Sequence, residues 1–265
     1  MLVTWKDPFV AVNGIVAILV IYCSIASPWK YTRVSGPCSS NWLDVRNPNG
    51  VPVCCDDTFQ PPCYIGMDEL HSVTRGQGAW IMPMVAVLIN FGLTMFLPNV
   101  TPRHMTALYN RIGLYFVLMV YRTAILYGAF NIVEQAIFPA ESSCWYSRLR
   151  KNKRCINSFD HADHIVLYMT HFLAISCFEW KILRREKTHL LKRRCLSAWL
   201  LCVMFLSIYA IYHTAYSFHS RWENLVGMVL AQIFVMLPLY LLSENHWATR
   251  GLGIDLFLSK PLEKL

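Results

Sequence analysis

The sequence predicts an all-α polytopic membrane bundle of about six transmembrane helices with both termini cytosolic, and three observations carry that reading. Of 265 residues, 55% are hydrophobic and only 15% are charged, where soluble domains carry about 25%. Apolar stretches long enough to enter a bilayer fall at 9–26, 78–97, 113–138, 165–180, 195–218 and 225–243. The short link between the fourth and fifth stretches is strongly basic, with Lys181, Arg184, Arg185, Lys187, Lys192, Arg193 and Arg194, which marks it as cytosolic. No internal repeat or low-complexity tract interrupts the chain, so a single membrane domain over 1–265 is expected. The net charge of +8 resides mainly in loops beside apolar spans, and no nucleic-acid partner is expected.

Taken in order, Lys6 and Asp7 cancel before the first span. Ser24-Ile25-Ala26 resembles a signal-peptide cleavage site, but the weakly basic start and Pro28 favour a retained span. Residues 27–77 are rich in Pro, Asn, Ser and Asp and read as a luminal, cysteine-rich cap without periodicity. Of the ten cysteines, Cys38, Cys54, Cys55, Cys63, Cys144 and Cys155 fall in loops on the non-cytosolic side. An even set there points to disulfides of undetermined connectivity; zinc is the rival, without a CxxC spacing to support it. Cys23, Cys177, Cys195 and Cys202 lie in or beside spans.

After the second span, Asn99-Val100-Thr101 is formally a glycosylation sequon, expected to stay unmodified on the cytosolic side. The third span carries Arg122 near its middle, with Asn131 and Glu134 toward its luminal end. Arg122 either pairs with a carbonyl or carboxylate between helices or lines a polar cavity, and its depth, far from His164, favours the first. The luminal loop 139–164 holds Arg148, Arg150, Lys151, Lys153 and Arg154 between Cys144 and Cys155. That cluster is either a solvated, lipid-contacting hairpin or a phosphate clamp.

Residues 158–180 are the densest in chemistry. Asp160, His161, Asp163 and His164 precede an apolar run, with Asp160 expected to cap the helix and Asp163 to lie in its first turn. The start of such a helix favours an anionic ligand, and ionisable groups at a membrane boundary mark a functional site. Tyr168 and His171 share a helical face with His164 and read as interior contacts or an acyl-chain groove, whereas Glu179 lies too far away for chemistry. The fifth span ends in His213 and is followed by His219, Arg221 and Glu223. His219 and Glu223 are four apart, a spacing at which a carboxylate can orient an imidazole. The short fourth-to-fifth link brings the luminal ends of those helices together. The tail, 244–265, is expected in the cytosol, with a short interfacial segment around Leu256–Leu258.

Two imidazoles at a membrane–water boundary, one backed by a carboxylate, suit phosphoryl transfer without a metal or other cofactor. One attacks phosphorus and the other protonates the leaving oxygen, while cationic side chains and helix N–H groups hold the equatorial oxygens. Phe159-Asp160 followed by His164 resembles the F-D-x-S-G-H segment of the fat storage-inducing transmembrane family. Phe218-His219-Ser220 with Glu223 and Gly227 resembles that family's F-H-T/S-x-x-E-x-x-x-G segment. The order of the two segments and the six-span layout also fit. The family is related to the lipid phosphate phosphatases, whose S-G-H and H-x-x-x-D elements carry two catalytic histidines.

The resemblance implies a multi-pass endoplasmic reticulum membrane enzyme that cleaves the diphosphate of fatty acyl-CoA on the luminal side. The products would be acyl 4′-phosphopantetheine and adenosine 3′,5′-bisphosphate, in support of lipid droplet formation and lipid balance. By analogy His219 is the nucleophile, Glu223 its orienter and His164 the acid. Asp160, Asp163, His213, Arg221 and the basic cluster Arg148, Arg150, Lys151, Lys153 and Arg154 are expected to bind substrate. Ala162-Asp163 departs from the family's Ser-Gly, and Asp163 adds negative charge next to His164. His161, Asp163, His164 and His219 also form an alternative divalent-metal set. Two other functions compete: a lipid phosphate phosphatase, and a non-catalytic membrane protein that binds diacylglycerol or triacylglycerol.

Overall fold

The computed structural model describes residues 7–26, 42–46, 52–56, 77–95, 102–137, 159, 161–185, 190–217 and 219–253. Over these it is an all-α polytopic bundle, with one short hairpin outside the helices. Helix α1 (Pro8–Ala26) starts with proline at its first position and with the Asp7 carboxylate accepting the Phe9 N–H at 2.9 Å. Its buried residues Phe9, Val12, Val16, Val20 and Cys23 fall at three- and four-residue spacing, one stripe turned inward. Helix α2 (Gln77–Met95) contains Pro83. Helix α3 runs over 102–137, opening on Pro102 and passing through a π-helical stretch at Arg122–Ala129. It therefore begins eleven residues before the expected third span at 113, because Pro102 is a good first helical residue.

Helix α4 (Asp163–Arg185) contains a π-helical stretch at Tyr168–Ala174. Helix α5 (Leu190–Ser217) and helix α6 (Arg221–Glu244), with its own π stretch at Gln232–Met236, follow. The short α7 (His246–Gly251) is capped by Asn245, whose side-chain oxygen accepts from the backbone N–H groups of Trp247 and Ala248. Five of the described helices are long and apolar enough to cross a membrane, and α2 is a shorter apolar helix over Gln77–Leu93. The chain is a multi-pass membrane protein.

The hairpin is an addition to the all-helical expectation. Strands β1 (Trp42–Arg46) and β2 (Pro52–Asp56) pair antiparallel, with Asp44 opposite Cys54 and Leu43 opposite Cys55. The five-residue connection includes Asn49-Gly50, a strong local hairpin signal masked in the sequence by the surrounding Pro and Asn. Cys38, Cys63, Cys144 and Cys155, the Asn99 sequon and the tail segment Leu256–Leu258 lie outside the described residues, and with them the expected disulfides. Cys23 and Cys177 are free and buried, and Cys195 and Cys202 free and exposed.

Helix α4 is the hub. Within its apolar window 89% of residues are enclosed by protein, against 17% for α3 and 39% for α5. It packs against α1, α2, α3, α5 and α6. A helix surrounded on all sides must pair its ionisable side chains internally, since neither water nor headgroups reach them. Glu179 of α4 takes a bidentate contact from Arg111 of α3, the Nε arm at 3.0 Å, and the Tyr115 hydroxyl donates to the same carboxylate. Arg111 and Tyr115 are wholly buried and Glu179 is 3% exposed. Two residues on, the Lys181 ammonium binds Asp7 at the start of α1 at 2.9 Å, Glu244 at the end of α6, and the Ser243 hydroxyl at 3.0 Å. The start of α1 and the end of α6 thus share one end of the bundle with the end of α4. His171 is an interior contact: its Nδ1 lies 2.8 Å from the Ala79 carbonyl and its ring meets Trp80 edge-on.

This arrangement has a distinctive mutational signature. Replacing Glu179 alone by Leu leaves the Arg111 guanidinium buried without its counter-charge, and lowers stability by about 3–5 kcal/mol. The double variant Arg111→Met with Glu179→Leu removes both charges and recovers most of that loss. Thermal unfolding of the four proteins of this cycle in detergent checks the coupling.

Candidate functional site

The site end of the bundle is built from the start of α4 and the α5–α6 junction. Only residues 218–220 separate Ser217 from Arg221, so His219 is held from both sides by long helices. Ser220 is the N-cap of α6, and its hydroxyl and Glu223 form a reciprocal capping box. The Ser220 N–H donates to Glu223 Oε2 at 2.8 Å, which satisfies a backbone donor at the helix start. Glu223 is fully buried, and the positive end of α6 supports its charge. The same Oε2 lies 3.9 Å from Nδ1 of His219, longer than a hydrogen bond yet close enough for electrostatic orientation. One carboxylate therefore caps the helix and faces the imidazole.

The second imidazole comes from α4. Its helix starts at Asp163, with Ala162 as N-cap in the left-handed conformation, φ 51°. This corrects the expected cap at Asp160, which itself lies outside the described residues. Ala162 supplies no side-chain cap; its carbonyl accepts from the Ile165 N–H at 2.8 Å. The left-handed turn is pressed against α6 at Gly227. A Cβ built there would lie 2.5 Å from the His161 carbonyl oxygen and 3.0 Å from the Ala162 Cβ. Glycine is needed because only a bare helix face admits the backbone that close. The turn, so seated, delivers His164 to the junction: the His164 and His219 ring centroids are 6.5 Å apart, tilted 40°. His219 is 5% exposed and His164 partly open.

The neighbouring charges differ from the sequence-based expectation. Arg122 is not remote from His164. Its Nη2 pairs with the Asp163 carboxylate and donates to the Asp163 carbonyl at 3.2 Å. Arg122 is mid-helix as expected, but α4 begins level with it, so the middle of α3 meets the start of α4. The Asp163 charge is accordingly matched by a guanidinium instead of acting on His164 alone. His161 turns away to Glu134 of α3, Nδ1 to Oε2 at 3.0 Å. The alternative metal set is thus divided: His161 faces Glu134, Asp163 faces Arg122, and among the described residues no three His, Cys, Asp or Glu side chains converge as ligands.

Of the remaining candidates, His213 contacts the rings of Tyr209 and Tyr212 on its own helix, at centroid distances of 4.4 and 5.3 Å. Arg221 is exposed, its guanidinium over Trp222. Arg148, Arg150, Lys151, Lys153 and Arg154 lie outside the described residues. The structure thus brings together His164, His219 and Glu223, with Asp163 beside them. It adds Arg122, Glu134 and the packing role of Gly227, none of which periodicity or spacing assigned to the site. No family model matches the sequence, and no curated protein or solved structure matches it significantly.

The crossing of the Ala162 turn over Gly227 makes an opposed pair of outcomes. Gly227→Ala forces backbone apart and costs about 1–3 kcal/mol, as for an overpacked core. Ala162→Gly relieves a left-handed alanine and raises stability by about 1 kcal/mol. Denaturation midpoints of the two variants against wild type check both signs.

Proposed function

We propose that this protein is a membrane-integral hydrolase of the phosphoric anhydride in fatty acyl-CoA. Acyl 4′-phosphopantetheine and adenosine 3′,5′-bisphosphate are the products. The proposed location is the endoplasmic reticulum, with the histidine end facing the lumen and the basic α4–α5 link facing the cytosol. Lipid droplet formation and membrane lipid balance are the processes it would serve. One observation carries the reading: two imidazoles from distant parts of the sequence stand 6.5 Å apart at one end of a membrane bundle. A nucleophile needs about 3–3.5 Å to phosphorus and a general acid about 2.6–3.2 Å to the leaving oxygen. Rings at this separation can flank a single phosphoryl group.

In this scheme the Nδ1 of His219, on the Glu223 side, keeps its proton, and Nε2 attacks phosphorus. The anhydride P–O bond breaks, and the leaving phosphate oxygen takes a proton from His164. Water then hydrolyses the phosphohistidine, with His164 acting as base, and both imidazoles return to their starting states. Glu223 stabilises the positive charge that develops on His219 during attack. The resemblance to the fat storage-inducing transmembrane family supports acyl-CoA as substrate, and the apolar bundle supports a substrate with a lipid chain.

Purified protein given oleoyl-CoA in detergent micelles should release adenosine 3′,5′-bisphosphate. His164→Ala and His219→Ala should each lower turnover by about 10²–10⁴-fold, with stability retained. Glu223→Gln keeps the capping box, since glutamine serves there as well as glutamate, and should lose about 10²-fold in turnover. Release of inorganic phosphate from phosphatidic acid without cleavage of oleoyl-CoA would replace the reading by a lipid phosphatase. Full activity in both histidine variants would remove catalysis from this end of the bundle.

A further inference from the structure

The Arg122–Asp163 pair has an unusual composition for an interhelical lock. Arg122 is 6% exposed, yet among the described residues its Nη2 alone donates, to Asp163. Its Nε is buried and has no hydrogen-bond partner among the described residues. The guanidinium lies at the ring of Tyr127, 5.3 Å from the centroid. Contrast Arg111, whose Nε and Nη2 both engage Glu179 in a fork. A guanidinium presents five donors in a plane suited to two parallel bonds with a carboxylate or phosphate. A buried N–H left unmatched is costly, and the Asp163 carboxylate leaves the Nε of this arginine unmatched.

The place where Arg122 points is also an anion position on other grounds. It lies on the first residue of α4, where the helix has no side-chain cap and its positive end favours negative charge. The adjacent residue is His164, one of the two imidazoles 6.5 Å apart. Asp163 supplies a single negative charge there through one contact to the guanidinium. A phosphate brings up to two charges and more acceptor oxygens, enough to engage both Nη2 and Nε.

We propose that the Asp163 carboxylate is a built-in occupant of an anion position formed by Arg122 at the start of α4, and that a phosphate of the ligand displaces it. This rests on the reading of the His164–His219 end as a phosphate site, and deepens it by naming the residue that receives the phosphate and the one that competes for it. Asp163 sets how tightly phosphate binds, since each ligand must first displace an internal rival. The ligand chemistry is a phosphate group, carried by a nucleotide or by a lipid.

The test uses the full chain in detergent and measures the dissociation constant for inorganic phosphate by calorimetry. Asp163→Asn should bind phosphate at least tenfold more tightly than wild type. Arg122→Gln in the Asp163→Asn background leaves no unpaired buried charge, and should return binding to wild-type strength or weaker. Equal affinity in wild type and Asp163→Asn, or no loss on adding Arg122→Gln, would overturn the proposal, as would no phosphate binding in any form. His164→Ala and His219→Ala are scored for turnover alongside. Tight binding by Asp163→Asn with no oleoyl-CoA cleavage in any protein would retain the anion position while ending the hydrolase reading. Competition by adenosine 3′,5′-bisphosphate against that by phosphatidic acid in mixed micelles then assigns the phosphate to a nucleotide or to a lipid.

Discussion

Every carboxylate and ammonium that α4 carries into the bundle meets an opposite charge from another helix, and this constraint organises the rest of the molecule. Asp163 meets Arg122 of α3, Glu179 meets Arg111 of the same helix, and Lys181 meets Asp7 and Glu244. In an apolar surround a charge without a partner costs several kcal/mol, and a partner on the wrong helical face cannot help. The pairs therefore fix both the rotation of α4 and its axial position. Arg111 and Arg122 are eleven residues apart on α3 and their partners sixteen apart on α4. At 1.5 Å per residue the spans are about 17 and 24 Å, a mismatch that long arginine side chains must bridge. Sliding α4 by one turn would break both pairs together.

That fixed axial position is what makes the far end useful. Among the described residues the Lys181 end is closed by ion pairs and a hydroxyl. At the other end α4 begins in a strained turn seated on Gly227, and α5 passes to α6 through three residues that hold His219. Both imidazoles are thus mounted at the boundaries of rigid helices instead of on long loops. Pre-organisation of this kind removes the entropy of bringing two groups to one ligand atom. The capping box adds to it: Glu223 cannot rotate away from His219 without giving up the first N–H of its own helix.

The helical architecture was legible because membrane spans announce themselves by length and apolarity, and no competing pattern obscured them. The pairing of His164, His219 and Glu223 followed from short-range spacing and from the antiparallel hairpin of α4 and α5. What the sequence did not disclose is axial register. Arg122 reads as mid-span from the apolar limits around it, but α3 begins at Pro102 and extends past the start of α4, so mid-helix on one is terminus on the other. Glu134 reaches His161 for the same reason. The cap was missed because an aspartate three residues before the helix is the stronger local signal. Tertiary contact with Gly227 selected a left-handed alanine instead, and no single-segment pattern contains that contact.

Register also changes which cations matter at the site. Reading the sequence alone, the Arg148–Arg154 cluster is the obvious source of positive charge, because it immediately precedes the His164 helix. In water, lysines and arginines attract an anion from a distance, but solvent and salt weaken each contact. A guanidinium held in the bundle beside Asp163 works in a low-dielectric surround, where the same charge interacts several times more strongly. In the proposed reading, Arg122 is the cation that discriminates among the anionic ligands that reach the start of α4. Among the described residues the candidate site is set by α3, α4 and α6, so the packing of Ala162 on Gly227 bears on its geometry as directly as the histidines do.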